Sequence, residues 1–324
     1  IDNSFFDNTI NSNPSLDNGN GTALDTNSLM TASTFSNVGW NISNDPTNTG
    51  GMDWFIFEGM TRPLLMMENV NVIHNAHQLQ MMGARLDGNY SLSSDIDLAA
   101  PLANVSDVWA GSATGFVPIG DSTNNFTGSF NGNNHIISNL YMTADDRNVG
   151  LFGDVNSSGT FANVTLKDLN VGGRNTYDLG GGYPTPYWVG GLIGLANGAL
   201  LINNVSTSGV VTLVNDTGYF GFTAGGIVGA LGDSISTGIL QNSFSTATVL
   251  GGFDGGGLAG INYGTIQTSY FAGDVGTLAS DGYSVGGIVG SNRNNIYDSY
   301  NIGSISSTGN NKNGGIAGNS SGYI

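Results

Sequence analysis

Three histidines, His74, His77 and His135, are the side chains best suited to metal ligation or proton transfer near neutral pH. His74 and His77 stand three apart, a spacing that could share one helix face and suits a metal, but no third ligand is apparent. Asp95 and Asp97 alternate, which places both on one side of a strand, and Asp145-Asp146 sit in a loop. Either pair could bind calcium or act as acid and base, yet neither has the spacing of an EF-hand or of a glycine–aspartate nonapeptide. Calcium is the one cofactor these residues leave open. Glycoside cleavage needs two carboxylates about 5–10 Å apart, and 24 acidic residues form such pairs by chance. Lyase chemistry calls for a basic residue at the site, and the seven here (Arg62, Arg85, Arg147, Lys167, Arg174, Arg293, Lys312) are scattered. The absence of cysteine removes thiolate nucleophiles, disulfides and Cys-ligated metals. These residues point away from an enzyme.

Recognition chemistry has a better foothold. Tyr177, Tyr183, Tyr187 and Trp188 cluster in a Gly- and Pro-bearing stretch. On a projecting loop they could stack on a sugar or anchor a protein partner; folded back, they would cover the body beneath. Tyr219-Phe220-Gly221-Phe222 is a weaker candidate of the same kind. Sequons at Asn104, Asn125, Asn163 and Asn204 are expected of so Asn-rich a chain and say little.

The element that must carry such loops is a repeat. Gly190-Gly191-Leu192-Ile193-Gly194 returns at Gly225–Gly229, Gly256–Gly260, Gly286–Gly290 and Gly314–Gly318, with a degenerate copy at Val149-Gly150-Leu151-Phe152-Gly153. Counted between Gly150, Gly191, Gly226, Gly257, Gly287 and Gly315, the spacings are 41, 35, 31, 30 and 28 residues. A second string follows each copy: Asn203–Thr207, Asn242-Ser243-Phe244, Thr268-Ser269-Tyr270 and Asp298-Ser299-Tyr300. Only two Glu occur, against 52 Gly and many β-branched residues, so the period is built of strands and not of helix pairs. One unit cannot bury its own apolar face; stacked units share a core and pair backbones about 4.8 Å apart. Leu151, Leu192, Ile227, Leu258, Ile288 and Ile316 are then expected to form an internal row, and the glycines to turn the chain where a Cβ would clash. The longest spacing, 41, holds the Tyr177–Trp188 stretch, and extra length in a solenoid goes to a projecting loop.

Earlier residues are less regular. Asn75–Met82 reads as a short helix, Asn89–Leu92 and Asp95–Leu98 as strands, Asn131-Gly132 as a turn, and His135–Leu140 as one more buried rung. Thr26–Ser33 reads as a short helix capped by Thr26. Trp54–Phe57 and Leu64–Met67 read as strands around a Glu58-Gly59 turn. Three parts are expected: 1–70, the end of a preceding repeat plus a connecting segment; 71–148, the first coils; and 149–324, the repeat coils.

These motifs resemble a known group. Gly-Gly-Leu-Ile-Gly followed by Asn-Ser-Phe looks like the GLUG motif of bacterial surface proteins. The run from Ala76-His77-Gln78-Leu79 through Phe116–Gly120 and Phe126–Gly132 to Gly150–Gly153 is similar to filamentous-haemagglutinin-like adhesins, as is Trp54–Gly59 with Pro63-Leu64-Leu65. The resemblance covers nearly the whole chain and implies a right-handed parallel β-helix, secretion to the bacterial surface, and a role in adhesion or biofilm. It transfers no catalytic residue. At Gly59-Met60-Thr61 the chain departs from such adhesins, which often carry a His after the Gly.

Bulk properties agree. Net charge is −17, which disfavours nucleic acid and anionic membranes. No apolar run approaches the roughly 20 residues of a membrane span. No signal-peptide pattern opens the sequence, so an export signal would lie outside it. The expected partners are a glycan or protein receptor, or further copies of the chain end to end. The last of these rests on Asn3-Ser4-Phe5-Phe6, which reads as a second string without its first, and on the end at Gly322-Tyr323-Ile324, which lacks the second string that each earlier Gly-Gly motif has.

Overall fold

The structure is a computed structural model, and it describes residues 3–11, 21–145, 148–175, 187–215, 222–251, 253–277, 284–307 and 312–324. It is all-β with few helices, and nearly all its strands pair in parallel. Three sheets carry the repeat. A period passes through a five-stranded sheet (Trp188–Gly190, Thr223–Gly225, Asp254–Gly256, Ser284–Gly286, Lys312–Gly314). It then crosses a six-stranded sheet (Phe152–Asn156, Ile193–Asn197, Val228–Leu231, Ala259–Asn262, Val289–Asn292, Ala317–Ser320) and a 16-stranded sheet before the next period begins. Each strand pairs with its equivalent one period away. Trp188 lies opposite Thr223, Thr223 opposite Asp254, Asp254 opposite Ser284 and Ser284 opposite Lys312.

Register explains the core. In the large sheet Phe130, Phe161, Ile202, Leu240, Ile266 and Ile296 align in one row, and all are buried. Leu151, Leu192, Ile227, Leu258 and Ile288 are fully buried, while Ile316 is half-buried. The N–H of Leu192 donates to Ile227 O, Ile227 to Leu258 O, Leu258 to Ile288 O and Ile288 to Ile316 O, at 2.9–3.0 Å. Each such aliphatic side chain contributes about 1.5–3 kcal/mol by leaving water.

The Gly-Gly pairs form the corner between the five- and six-stranded sheets. None of Gly150, Gly191, Gly226, Gly257, Gly287 and Gly315 has a positive φ. What they allow is close approach: a Cβ on Gly257 would lie 2.2 Å from Gly287 O and 2.2 Å from the Phe271 ring. Left-handed backbone is used elsewhere, at Asn163, Asn204, Asn242, Thr268 and Asp298, where the large sheet bends. Asparagine tolerates that conformation because its short amide can bond locally. Along the stack the Asn204 amide donates to Asn163 at 2.9 Å, and Asn163 donates to Asn131 at 3.1 Å.

Several expectations for the first half are corrected. Asn131-Gly132 makes no hairpin; it lies inside the strand Ser129–Ser138, which pairs in parallel with its neighbours, and the left-handed residues are Asn133 and Asn134. Thr26 caps no helix. Its hydroxyl donates to Asp7, and the helical turns are Ser28–Met30 and Ala32–Ser36. The Asp25 carboxylate, which accepts from Ser28 N at 2.7 Å, holds the turn that Thr26 was expected to start. The expected strands around Glu58-Gly59 shorten to Trp54–Phe55 and Leu64–Leu65, because Met66–Glu68 turns into a 3-10 helix. His74 and His77 share no helix, since Asn75 caps Ala76–Met81 and leaves His74 outside it. The described residues before 70 form one small core of their own, around Leu29, Phe35 and Ile56, and share a second, around Phe55 and Leu64, with Met81 and Ala84.

Candidate functional site

The junctions between sheets differ sharply in length. From the five- to the six-stranded sheet every period takes two residues, as at Gly191-Leu192 and Gly226-Ile227. From the large sheet back to the five-stranded sheet the chain runs from Asn175 to Trp188, Asn215 to Thr223, Gly251 to Asp254, Gly276 to Ser284 and Ser306 to Lys312. This edge carries the longest connections, from two residues after Gly251 to twelve after Asn175, while the turn from the six-stranded to the large sheet varies less, from two residues after Asn262 to seven after Leu231. Each long connection starts and ends on strands that are stacked in register.

Tyr177 and Tyr183 lie outside the described residues, as do Tyr219-Phe220-Gly221 and Asp146; the side chain of Asp145 does too. Tyr187 and Trp188 are described, and both pack on the body at this edge. Tyr187 stacks on the buried Phe222 with ring centroids 5.7 Å apart and planes 18° apart. Trp188 begins its strand half-buried, its backbone N–H donating to Asn148 Oδ1 at 3.0 Å, while its indole N–H is buried without a partner.

Beneath the edge runs a polar row: Asn148, Trp188, Thr223, Asp254, Ser284 and Lys312. From Trp188 on, each stands two residues before the first Gly of its motif and six before the last; Asn148 stands two before Gly150 and five before Gly153. The side chain packs against the last Gly of the next motif, so that a Cβ on Gly260 would lie 2.7 Å from Thr223 Cβ, and one on Gly290 2.9 Å from Asp254 Cβ. Thr223 Oγ1 donates to Gly229 O at 3.0 Å. Asp254 is only 5% exposed and its Oδ1 has no partner. Burial pushes its carboxyl up to about 6, against the opposing pull of the Ser284 hydrogen bond and the Arg293 and Lys312 charges. Asp154 is likewise pushed up to about 6 by burial, opposed by Asn148, which donates to it at 2.8 Å. This row escaped sequence reading because its residue types share nothing; the common signal is position relative to the motif.

The titratable residues singled out earlier serve structure. His77 bridges Glu68 (3.2 Å) and Asp107 (2.6 Å), and His74 Nδ1 lies 2.6 Å from the Ser93 hydroxyl. His135 pairs with Asp95 at 3.0 Å, and Asp95 also accepts from Ile136 N, which holds its carboxyl below the usual range. Asp97 accepts from Ala99 N and the Asn139 amide, with the same effect. Among the described residues no three His, Asp or Glu side chains cluster as a metal would require.

Among the described residues, a groove and a trench lie in the first half. An aromatic groove of about 430 Å³ is lined by Phe5, Phe6, Trp40 and Trp54 with the Asp7–Arg62 ion pair, but its rings are largely turned on one another, Trp40 and Trp54 having centroids 5.0 Å apart. A polar trench lies between residues 44–60 and the loops 83–87 and 117–127. It consists of adjoining hollows of about 250 and 520 Å³ that share Pro46, Leu86 and Asn124.

No family model matches the chain. A 136-residue stretch, 41% of the chain, is 36% identical to part of halomucin from Haloquadratum walsbyi and corresponds to 1% of that protein. A 102-residue stretch, 31% of the chain, is 34% identical to part of a "Putative Gly-rich membrane protein" of Evansella cellulosilytica, 11% of that protein's length. The chain thus spans only a small fraction of these relatives. Among solved structures, a putative immunoglobulin A1 protease from Bacteroides ovatus aligns over 78% of this chain and 83% of its own, at 18% identity and a TM-score of 0.49. No helix among the described residues is long and apolar enough to cross a membrane.

Proposed function

We propose that the chain is a segment of an extracellular, cell-surface adhesin, in which a right-handed parallel β-helix acts as a rigid spacer and holds binding loops along one edge. The right hand is the one parallel crossovers adopt almost without exception. The observation that carries the reading is the junction asymmetry. One corner is fixed at two residues by Gly-Gly, whereas the connection into the five-stranded sheet varies freely. A spacer needs the first property and a display surface the second. The low charge, absence of cysteine and similarity to part of a protein named for a membrane fit a surface location. The reading calls on no catalytic group and no cofactor.

Attachment of beads coated with the chain to cells or matrix tests it. Removing residues 176–186 and joining Asn175 to Tyr187 through two glycines should lower attachment at least several-fold while leaving circular dichroism unchanged. Undiminished attachment would remove the edge from the reading. A second reading, a self-associating filament subunit, is favoured by Asn3. Its φ of 57° matches the left-handed Asn242, Thr268 and Asp298 that open each Ser-aromatic string. Filaments of the purified chain under negative stain would support it.

A further inference from the structure

We propose that the trench between residues 44–60 and the first coils binds an uncharged oligosaccharide. This site is separate from the loop edge and does not depend on it. Its lining joins hydrogen-bonding side chains to apolar strips, the combination that the alternating hydroxyl and C–H faces of a sugar require. Thr47, Thr49 and Glu58 stand on one wall. Asp121, Thr123, Asn124 and Asn125 stand on the other, and Phe57, Leu86 and Pro118 supply the apolar surface.

Both walls are held before any ligand arrives. Asp45 Oδ1 accepts from Thr47 N at 2.8 Å and from its hydroxyl at 2.7 Å. Asp121 Oδ1 accepts from Thr123 N and Asn124 N, both at 2.8 Å, and Asn125 Nδ2 donates to Asp121 O at 2.8 Å. Thr127 N donates to Leu86 O at 2.8 Å, tying the second wall to the loop 83–87. Fixed walls reduce the ordering cost of binding. Polar capacity remains inside them: the Thr49 and Thr123 hydroxyls, the Asn124 amide and Glu58 Oε1 make no hydrogen bond to another described residue, while Glu58 Oε2 accepts from Ala32 N and Asn44.

Charge selects the sugar class. Glu58, Asp87 and Asp121 face one cation, Arg85, whose guanidinium already donates to Asn71 at 2.7 Å and lies 3.7 Å from Asp87. In a chain of net charge −17 a uronate or sialate would be repelled. A peptide ligand is disfavoured because, apart from Phe55 in a strand paired on both sides and Gly83 in a 3-10 turn, the lining residues lie in turns and irregular loops and offer no open strand edge for an extended backbone to join.

The test uses the whole chain and saturation-transfer NMR with titration calorimetry. The probes are cello-, malto- and N-acetylchito-oligosaccharides, with oligogalacturonate as the acidic contrast. At least one neutral series should bind saturably. The variant Thr123→Ala/Asn124→Ala, which alters one exposed and one half-buried side chain and keeps the backbone bonds to Asp121, should weaken it tenfold or more. A Tyr177→Ala/Tyr183→Ala variant should bind the sugar unchanged, so failure of the trench and failure of the loop edge read out separately. The proposal is overturned if no neutral oligosaccharide saturates, if the double variant binds as tightly as the parent, or if oligogalacturonate binds equally well.

Discussion

Asp254 offers a direct measure of what the polar row costs. Its carboxyl is buried, one oxygen is unpartnered, and its pKa is pushed up to about 6 from an ordinary 3.8. A raised acid pKa means that the folded chain holds the proton more tightly than the unfolded chain. The associated stability is therefore fully present below about pH 3.8 and is lost as pH rises through about 6. At 1.36 kcal/mol per pKa unit the loss is about 3 kcal/mol at pH 7.5 and less than about 1 kcal/mol at pH 4. One period earlier Thr223 occupies the same slot and donates to Gly229 O, and the equivalent carbonyl for residue 254 is that of Gly260. Asp254→Thr should therefore remove the buried charge and satisfy a carbonyl in one step. Urea denaturation followed by circular dichroism should show the variant about 2–4 kcal/mol more stable than the parent at pH 7.5, with the gain shrinking below about 1 kcal/mol at pH 4. Asp154, which titrates in the same window, is present in both proteins and cancels. A gain that is equal at the two pH values, or a loss at pH 7.5, would refute the assignment of the penalty to an ionised Asp254.

Gly257→Ala should cost about 3 kcal/mol or more in urea denaturation, because its Cβ would sit 2.2 Å from both a backbone oxygen and the Phe271 ring. Gly315→Ala should be nearly neutral in the same assay, since nothing lies within 4 Å of its Cβ position. Tyr270 stacks between Phe244 (4.8 Å, 2°) and Tyr300 (5.2 Å, 8°), so Tyr270→Ala should destabilise the stack by about 1–3 kcal/mol. Phe244→Ala, which loses one stack in place of two, should cost roughly half as much.

How far this fold could be read in advance follows from what each position demands. The Gly-Gly corner was legible because its requirement is chemical. Only glycine lets one backbone pass within 2.6 Å of a would-be Cβ, as at Gly191 beneath Gly226, and only an aliphatic residue fills the buried row at Leu192 and Ile227. The polar row was illegible because its requirement is positional: Asn148, Trp188, Thr223, Asp254, Ser284 and Lys312 share a register and no chemistry. Asn131-Gly132 misled for a related reason. The dipeptide marks a hairpin between antiparallel strands, whereas here it runs through one strand of a parallel stack whose left-handed bend falls at Asn133 and Asn134, and local sequence does not say which. The trench was out of reach altogether, since Thr49, Glu58, Arg85 and Asn124 meet only once residues 44–60 dock on the first coils.

The same distinction bears on function. Positions under chemical constraint hold the stack together, and they are where a substitution unfolds it. Positions under positional constraint tolerate Trp, Thr, Asp, Ser and Lys in turn, and they lie directly beneath the edge where connections vary in length. A spacer that must accept different loops at each level needs such a tolerant row under its display edge, because each new connection alters what its first strand residue must pack against. If that is the row's purpose, exchanging Thr223 and Ser284 should change stability by no more than about 1 kcal/mol in urea denaturation. Exchanging Leu258 with Gly257, one corner away, should leave no folded protein at all.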